Sequence, residues 1–284
     1  NIVNIMKIKL FLIPSLLLAS VLFFSCNKDD DDSGHKPANP VISAFNTKYP
    51  GAQNATWEKA GAYEKAEFTY NNMQNEAWFA KDGTWILTET DMAYKELPAN
   101  VQSGLTNSIY SSWNADDDAE KMEGINLDPL YLIDIKNGNN EMILGFNDAG
   151  NIVKQANNSE NGSSLPNTVT NFINTKYTNS PIIEAFSLET HETEVDIIND
   201  NKVKEVLFDQ NNQWIMTQWK VLLADVPEKV LNVLNYPAYS GYEVDMAKYQ
   251  QYQNGQEYYN LLLKKTGSLD MSVNVYPDGN LVLY

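Results

Sequence analysis

Phe45-Asn46-Thr47-Lys48-Tyr49 returns as Ile173-Asn174-Thr175-Lys176-Tyr177, 128 positions further along the chain. Four identical residues inside a matching apolar frame mark a duplicated chain, and that reading decides the fold. Working outward, the apolar pairs Val41/Phe45, Val101/Leu105, Val169/Ile173 and Val230/Leu234 are each four apart, so each puts two side chains on one face of a short helix. Leu97-Pro98, Leu165-Pro166 and Val226-Pro227 stand just upstream, where proline's missing N–H costs nothing. Four helices are predicted, two in each half.

Each helix is followed by β-rich sequence that closes on a turn: Asp82-Gly83, Ala149-Gly150, Asn211-Asn212 and Asp278-Gly279. Gly and Asn tolerate positive φ, so these pairs favour two-residue hairpins. The predicted class is α+β: a helix plus an antiparallel β-meander, repeated four times, with the helices packed on one face of each sheet. Asn157-Asn158-Ser159-Glu160-Asn161-Gly162-Ser163-Ser164 has no apolar residue and separates the halves, giving domains 37–160 and 161–284. A two-residue turn at 82–83 sets Phe79 opposite Ile86, and likewise Phe146/Val153, Phe208/Ile215 and Val275/Val282, a predicted core face against the helices. The other face carries Trp78 against Leu87, Ala80 against Trp85, Leu207 against Met216 and Asp209 against Trp214.

That second face ought to be polar if it is solvated, and it is not. Trp78, Trp85, Leu87, Leu207, Trp214 and Met216 are therefore the candidate partner-binding residues, because tryptophan and other large apolar groups dominate binding surfaces. Two readings stay open: an exposed recognition face, or a core made when the two halves or another strand cover it. The same aromatics suit a protein or the flat face of a sugar.

The amino-terminal stretch carries Lys7 and Lys9, then an apolar run from Leu10 to Phe24. Fifteen residues interrupted by Pro14 fall short of the ~20 that span a bilayer, so 1–25 reads as a secretory signal. It ends Phe23-Phe24-Ser25-Cys26, a loose lipobox whose cysteine would be acylated, a use that also accounts for the lone cysteine. Lys28-Asp29-Asp30-Asp31-Asp32 lies in a solvated tether over 26–36 and is similar to the signal that exports some lipoproteins to the cell surface. The expectation is an outer-membrane lipoprotein, held to the membrane by its lipid anchor only.

All 20 basic residues are lysine against 37 acids, a net charge of −17, the wrong sign for neutralising phosphates, so nucleic acid is not an expected partner. One cysteine and two histidines cannot build a disulfide or a Cys/His metal site. His35 falls in the tether and His191 in Glu189-Thr190-His191-Glu192-Thr193-Glu194, neither beside a nucleophile turn. Asp116, Asp117 and Asp118 supply hard oxygens of the kind calcium prefers but lack the spacing and glycine of an EF-hand, leaving a weak metal candidate. No glycine-rich phosphate cradle is present. No catalytic residue and no cofactor is expected.

Asn46-Thr47-Lys48-Tyr49-Pro50, Ala55-Thr56-Trp57-Glu58-Lys59, Tyr63-Glu64-Lys65-Ala66-Glu67-Phe68, Glu76-Ala77-Trp78-Phe79 and Asp82-Gly83-Thr84-Trp85 together resemble a family of secreted bacterial proteins described as PepSY-like or β-lactamase-inhibitor-like. The resemblance covers roughly 37–284 as two tandem copies. It departs in the second half, with Phe186 in place of Trp57 and Asn212 in place of Gly83. It implies a helix-on-sheet fold whose open sheet face binds a protein, inhibition being one such use, and it brings no catalytic residue; no residue of the chain assigns a β-lactamase target. The expected function is a lipid-anchored, non-enzymatic binding protein of the cell envelope. A carbohydrate-binding surface lipoprotein and a structural envelope protein are the alternatives.

Overall fold

A computed structural model of the chain describes residues 35–159 and 165–282; the signal segment, Cys26, nearly all of the tether and the boundary at 160/161 lie outside the described residues. The first unit runs α1 (Asn39–Lys48), β1 (Gln53–Ala60), β2 (Tyr63–Tyr70), β3 (Met73–Phe79) and β4 (Trp85–Ala93). The second is α2 (Ala99–Thr106), β5 (Asn114–Gly124), β6 (Leu127–Asn137), β7 (Asn140–Asn147) and β8 (Ile152–Ser159). The third is α3 (Asn167–Lys176), β9 (Ile182–Leu188), β10 (Thr193–Asn199), β11 (Lys202–Phe208) and β12 (Trp214–Val221). The fourth is α4 (Glu228–Leu231), β13 (Glu243–Tyr252), β14 (Glu257–Lys264) and β15 (Met271–Val275). Among the described residues the 15 strands form one antiparallel sheet in sequence order, and β8 pairs with β9 across the two halves.

The helices are short and rich in Asn, Thr and Ser, too weak to stand alone in water. Each is held by two buried apolar side chains. Val41 and Phe45 of α1 cluster with Ala66, Phe68, Ala77 and Phe79, the Phe45 ring 4.8 Å from that of Phe68. Val101 and Leu105 do the same over Ile133, Leu144 and Phe146, and Val169 and Ile173 over Val195, Val206 and Phe208. Burying such a side chain is worth about 1.5–3 kcal/mol, so each helix owes its existence to the sheet. The fourth differs from expectation. After one turn, α4 tightens into a 3₁₀ turn over Asn232–Asn235, and Val233 is buried where Leu234 was expected. Three residues per turn suits the Val230/Val233 spacing.

The closing hairpins also correct the predicted register. Gly83 N–H donates to Ala80 O and Ala80 N–H to Thr84 O, so residues 81–82 make the turn and Gly83, at φ +93°, is a bulge after it. Phe79 therefore faces Trp85, while Trp78 still faces Leu87. The slip recurs: Phe146 faces Ile152, Phe208 faces Trp214, and Val275 bridges Leu281. The predicted pairs Phe79/Ile86, Phe146/Val153, Phe208/Ile215 and Val275/Val282 do not form. Ile86 turns to the opposite side of the sheet and Val153 is exposed.

On the side away from the helices, residues of three units meet in one core. Tyr63, Trp78, Ile86 and Leu87 pack with Met122, Leu130, Leu132 and Ile143, and with Phe186, Ile198 and Val203 of the second half. Polar clasps close the seam. Buried Asn126 donates to Val203 O (3.0 Å) and accepts from Val203 N–H (2.9 Å). Asn201 N–H donates to the Tyr63 hydroxyl, and Ala62 N–H to Asn179 O. Gly34–Tyr284 is accordingly one compact unit.

Candidate functional site

The six aromatic and apolar candidates divide in three. Trp78 and Leu87, 4% and 0% exposed, are core, because the halves close over this part of the sheet; the expectation of an open face here is corrected. Trp85 and Trp214 lie on the helix side, carried there by the bulge. Trp85 Nε1–H donates to Thr88 Oγ1 (2.8 Å) beneath Lys48, whose Nζ is 3.5 Å from the ring centre; Trp214 donates to Thr217 (3.0 Å) beneath Lys176 at 4.0 Å. The tyrosines of the repeated Asn-Thr-Lys-Tyr motif bond the same hydroxyls, Tyr49 to Thr88 and Tyr177 to Thr217. So the motif that reveals the duplication is a structural lock, Lys on Trp and Tyr on Thr. Burial pushes the Tyr49 and Tyr177 hydroxyls up, which keeps them neutral.

Leu207 and Met216 remain on the face away from the helices, opposite each other across β11 and β12. Leu207 is buried, while half-buried Met216 faces Tyr252 of β13. From there the fourth unit presents a surface the sequence reading did not single out. Strand pairing brings Gln218, Gln250 and Tyr258 into one row, Lys248, Asn260 and Asn274 into the next. The rings of Tyr252 and Tyr276 lie 5.4 and 5.0 Å from that of Tyr258, on either side of it along the row. Gln250 bonds Gln218 and Tyr252, and Asn260 donates to Ser272 and Asn274. Tyr252, Tyr276, Asn260 and Leu262 are half-exposed and Ser272 is exposed. Residue parity away from the Asp278-Gly279 turn was the signal that could have found this face.

Between the buried core and this tyrosine face runs a charged seam. Lys154 pairs with Glu194 and lies 3.4 Å from Asp196; Lys248 pairs with Glu205 at 2.9 Å. Asp196 faces Glu184 on one side and Glu205 on the other. Burial, with Glu194 and Glu205 nearby, pushes the Asp196 carboxyl up to about 8 in spite of Lys154. Burial opposes charge on Glu205 as well, but Lys248 and Lys154 outweigh it and hold that carboxyl low. Lys154 and Lys248 thus sit among four acids, and of these Asp196 is the one that burial pushes toward its protonated form.

Asp116, Asp117 and Asp118 fall in β5, spread along the strand beside a bulge, and Asp116 pairs with Lys136 at 3.0 Å. Among the described residues no group of three His, Cys, Asp or Glu side chains is placed to hold a metal ion. His35 pairs with Glu64, and His191, at φ +67° in a turn, has Nδ1 2.9 Å from the Glu189 carbonyl. The partners of the two histidines are a carboxylate and a backbone carbonyl, not nucleophiles.

Residues 62–154 and again 191–282, together well over half of the chain, match the family described as "Putative beta-lactamase-inhibitor-like, PepSY-like". Among solved structures, a BLIP-like protein from Bacteroides fragilis is 26% identical with a TM-score of 0.41, the match covering 49% of this chain and 99% of that one. A DUF2874 family protein from Bacteroides ovatus is 25% identical with a TM-score of 0.39, covering 44% and 89%. No curated protein matches the chain.

Proposed function

The chain belongs to the PepSY-like, beta-lactamase-inhibitor-like family, in two tandem copies, and from that premise we propose that it is a non-enzymatic binding protein which recognises a protein partner through the tyrosine face of its fourth unit. The observation that carries this reading is the composition of that face. Tyr252 and Tyr276, half-exposed on either side of buried Tyr258, offer large, stiff, amphipathic area at low rotamer cost, and half-exposed Asn260 and Asn274 offer adaptable donors and acceptors, the mixture that antibody paratopes use. Met216 at its border is the one predicted binding residue that still belongs to it. The lipobox cysteine Cys26 would anchor the protein in the envelope, at the outer membrane and exposed at the cell surface, with 26–36 as the spacer.

The test is capture from envelope and secreted fractions with the chain from Gly34 onward, beside a Tyr252→Ala/Tyr276→Ala variant whose melting is unchanged. Loss of one specific protein by tenfold or more in the variant supports the reading, each hot-spot ring being worth about 2 kcal/mol. Equal capture by both forms rules this face out. Retention on immobilised glycans that depends on the same two tyrosines selects the carbohydrate alternative.

A further inference from the structure

We propose that the third unit holds an anion pocket, on the helix side of the sheet, that accepts a compact dianion such as a phosphomonoester or a dicarboxylate. An open cavity of about 430 Å³ lies where the end of α3 meets the β10–β11 hairpin and β12. Lys176, Lys202 and Lys204 line it together with Asn199, Asp200 and Trp219. Three ammonium groups and one carboxylate give the pocket a local charge of about +2, in a chain whose total is −17. Gathering lysines in this way costs energy unless something offsets it.

Lys204 is the built part of the site. Its side chain is 6% exposed, donates to Asn199 Oδ1 (2.6 Å) and Asp200 Oδ2 (2.9 Å), and lies 4.7 Å from the Trp219 ring centre. Burial, with Lys202 and Lys176 nearby, holds it below the ordinary lysine range although Asp200 pulls the other way. An anion in the cavity would relieve that stress. Lys176 and Lys202 are exposed at the mouth, Lys176 resting on the Trp214 ring and Lys202 on the Asp200 carbonyl, contacts that a ligand anion would have to outcompete.

The first unit keeps a lysine, Lys48, at the position of Lys176 but shows that the fold does not require Lys202 or Lys204. The same hairpin, with paired positive-φ residues Asn71 and Asn72 matching Asp200 and Asn201, has Met73, Asn75 and Thr90 at the positions of Lys202, Lys204 and Trp219. There Asn75 donates to the Met73 carbonyl (2.9 Å) and accepts from Thr90 (2.7 Å), so short neutral groups satisfy one another. One scaffold, built twice, gained three chemistry-bearing residues in one copy. A monoanion would leave the pocket cationic; a dianion neutralises it. The pocket and the tyrosine face lie on opposite sides of the sheet, so each can fail without the other.

The experiment titrates the chain from Gly34 with inorganic phosphate and, separately, succinate, at ionic strength held constant with chloride, reading ¹⁵N–¹H shifts and melting temperature. Saturable shifts at Asn199, Lys202 and Gln251 are expected, with affinity about two- to fivefold weaker for Lys202→Gln and for Lys176→Gln, weaker still for the double variant, and unchanged for the first-unit control Lys48→Gln. A response to phosphate alone selects a phosphate-bearing ligand, and to succinate alone a dicarboxylate. No saturable shift with either anion, or binding that survives the double variant, overturns the proposal.

Discussion

Gly150 sits at φ +80°, and a Cβ built on it would stand 2.1 Å from the Asn100 carbonyl oxygen at the start of α2. Gly83 and Gly279 meet Pro40 and Lys229 carbonyls in the same way, at 2.7 and 2.6 Å. In these three units the hairpin tip is thus wedged beneath the first turn of its helix and only a residue without a side chain fits, whereas the third unit carries Asn212 at φ +60°. Gly150→Ala is expected to cost at least about 2 kcal/mol, combining left-handed strain with a backbone clash; urea unfolding measures it. A loss under 0.5 kcal/mol would mean that the tip is not wedged. At this scale the sequence was informative about where the turns fall and misleading about their type. A glycine after aspartate serves a two-residue hairpin and a bulged three-residue one equally well, and the difference, one residue of register, carried Trp85 and Trp214 to the helix side.

At the scale of elements, the rows of residues that cross from strand to strand decide behaviour. Lys154 of β8, Glu194 and Asp196 of β10, Glu184 of β9, Glu205 of β11 and Lys248 of β13 form one charge network across neighbouring rows, buried at Asp196 and half-buried at Lys248. Asp196 is raised to about 8 from an ordinary 3.8, so the native state binds a proton there that the unfolded chain releases. The stability it contributes is present below about pH 4 and is lost as pH climbs toward 8. Glu205, held low, acts only below its ordinary value, and Lys154, held high, only in strong base, so neither masks the window. Glu89, raised by burial and by Glu120, has the same sign as Asp196. Asp196→Asn is expected to remove up to one proton's worth of slope, about 1.4 kcal/mol per pH unit, between pH 5 and 8. Unfolding curves at three pH values check it, and a slope equal to the wild type's contradicts it. Hydrophobic spacing makes the helices legible in advance, and α4 is shorter than that spacing predicts because asparagines at 232 and 235 weaken it. The charge network was not legible, since it needs the pairing of strands distant in sequence.

At the scale of the molecule, duplication was plain in Asn-Thr-Lys-Tyr and its echo, and the chain does carry the family pattern twice. What the sequence left open was whether the apolar outer face is presented or covered. Burial of Trp78 and Leu87 with Phe186, Ile198 and Val203 answers for the first half: one continuous sheet curls until its units share a core. The fourth unit lies outside that core, and its tyrosines are the aromatic surface left to meet a partner. The half-apolar alternation read as a binding signal was in part the signature of this closure, which no count of residues within one unit can separate from exposure.

Hydroxyl-radical footprinting of the chain from Gly34 tests this division most directly, since tryptophan and tyrosine both label readily when water reaches them. The account predicts that Trp78 is protected until global unfolding, while Tyr252 and Tyr276 label in the native state. Native-state labelling of Trp78 at the rate of Tyr276 would contradict it, showing the first half's sheet face to be open and the seam between the halves absent.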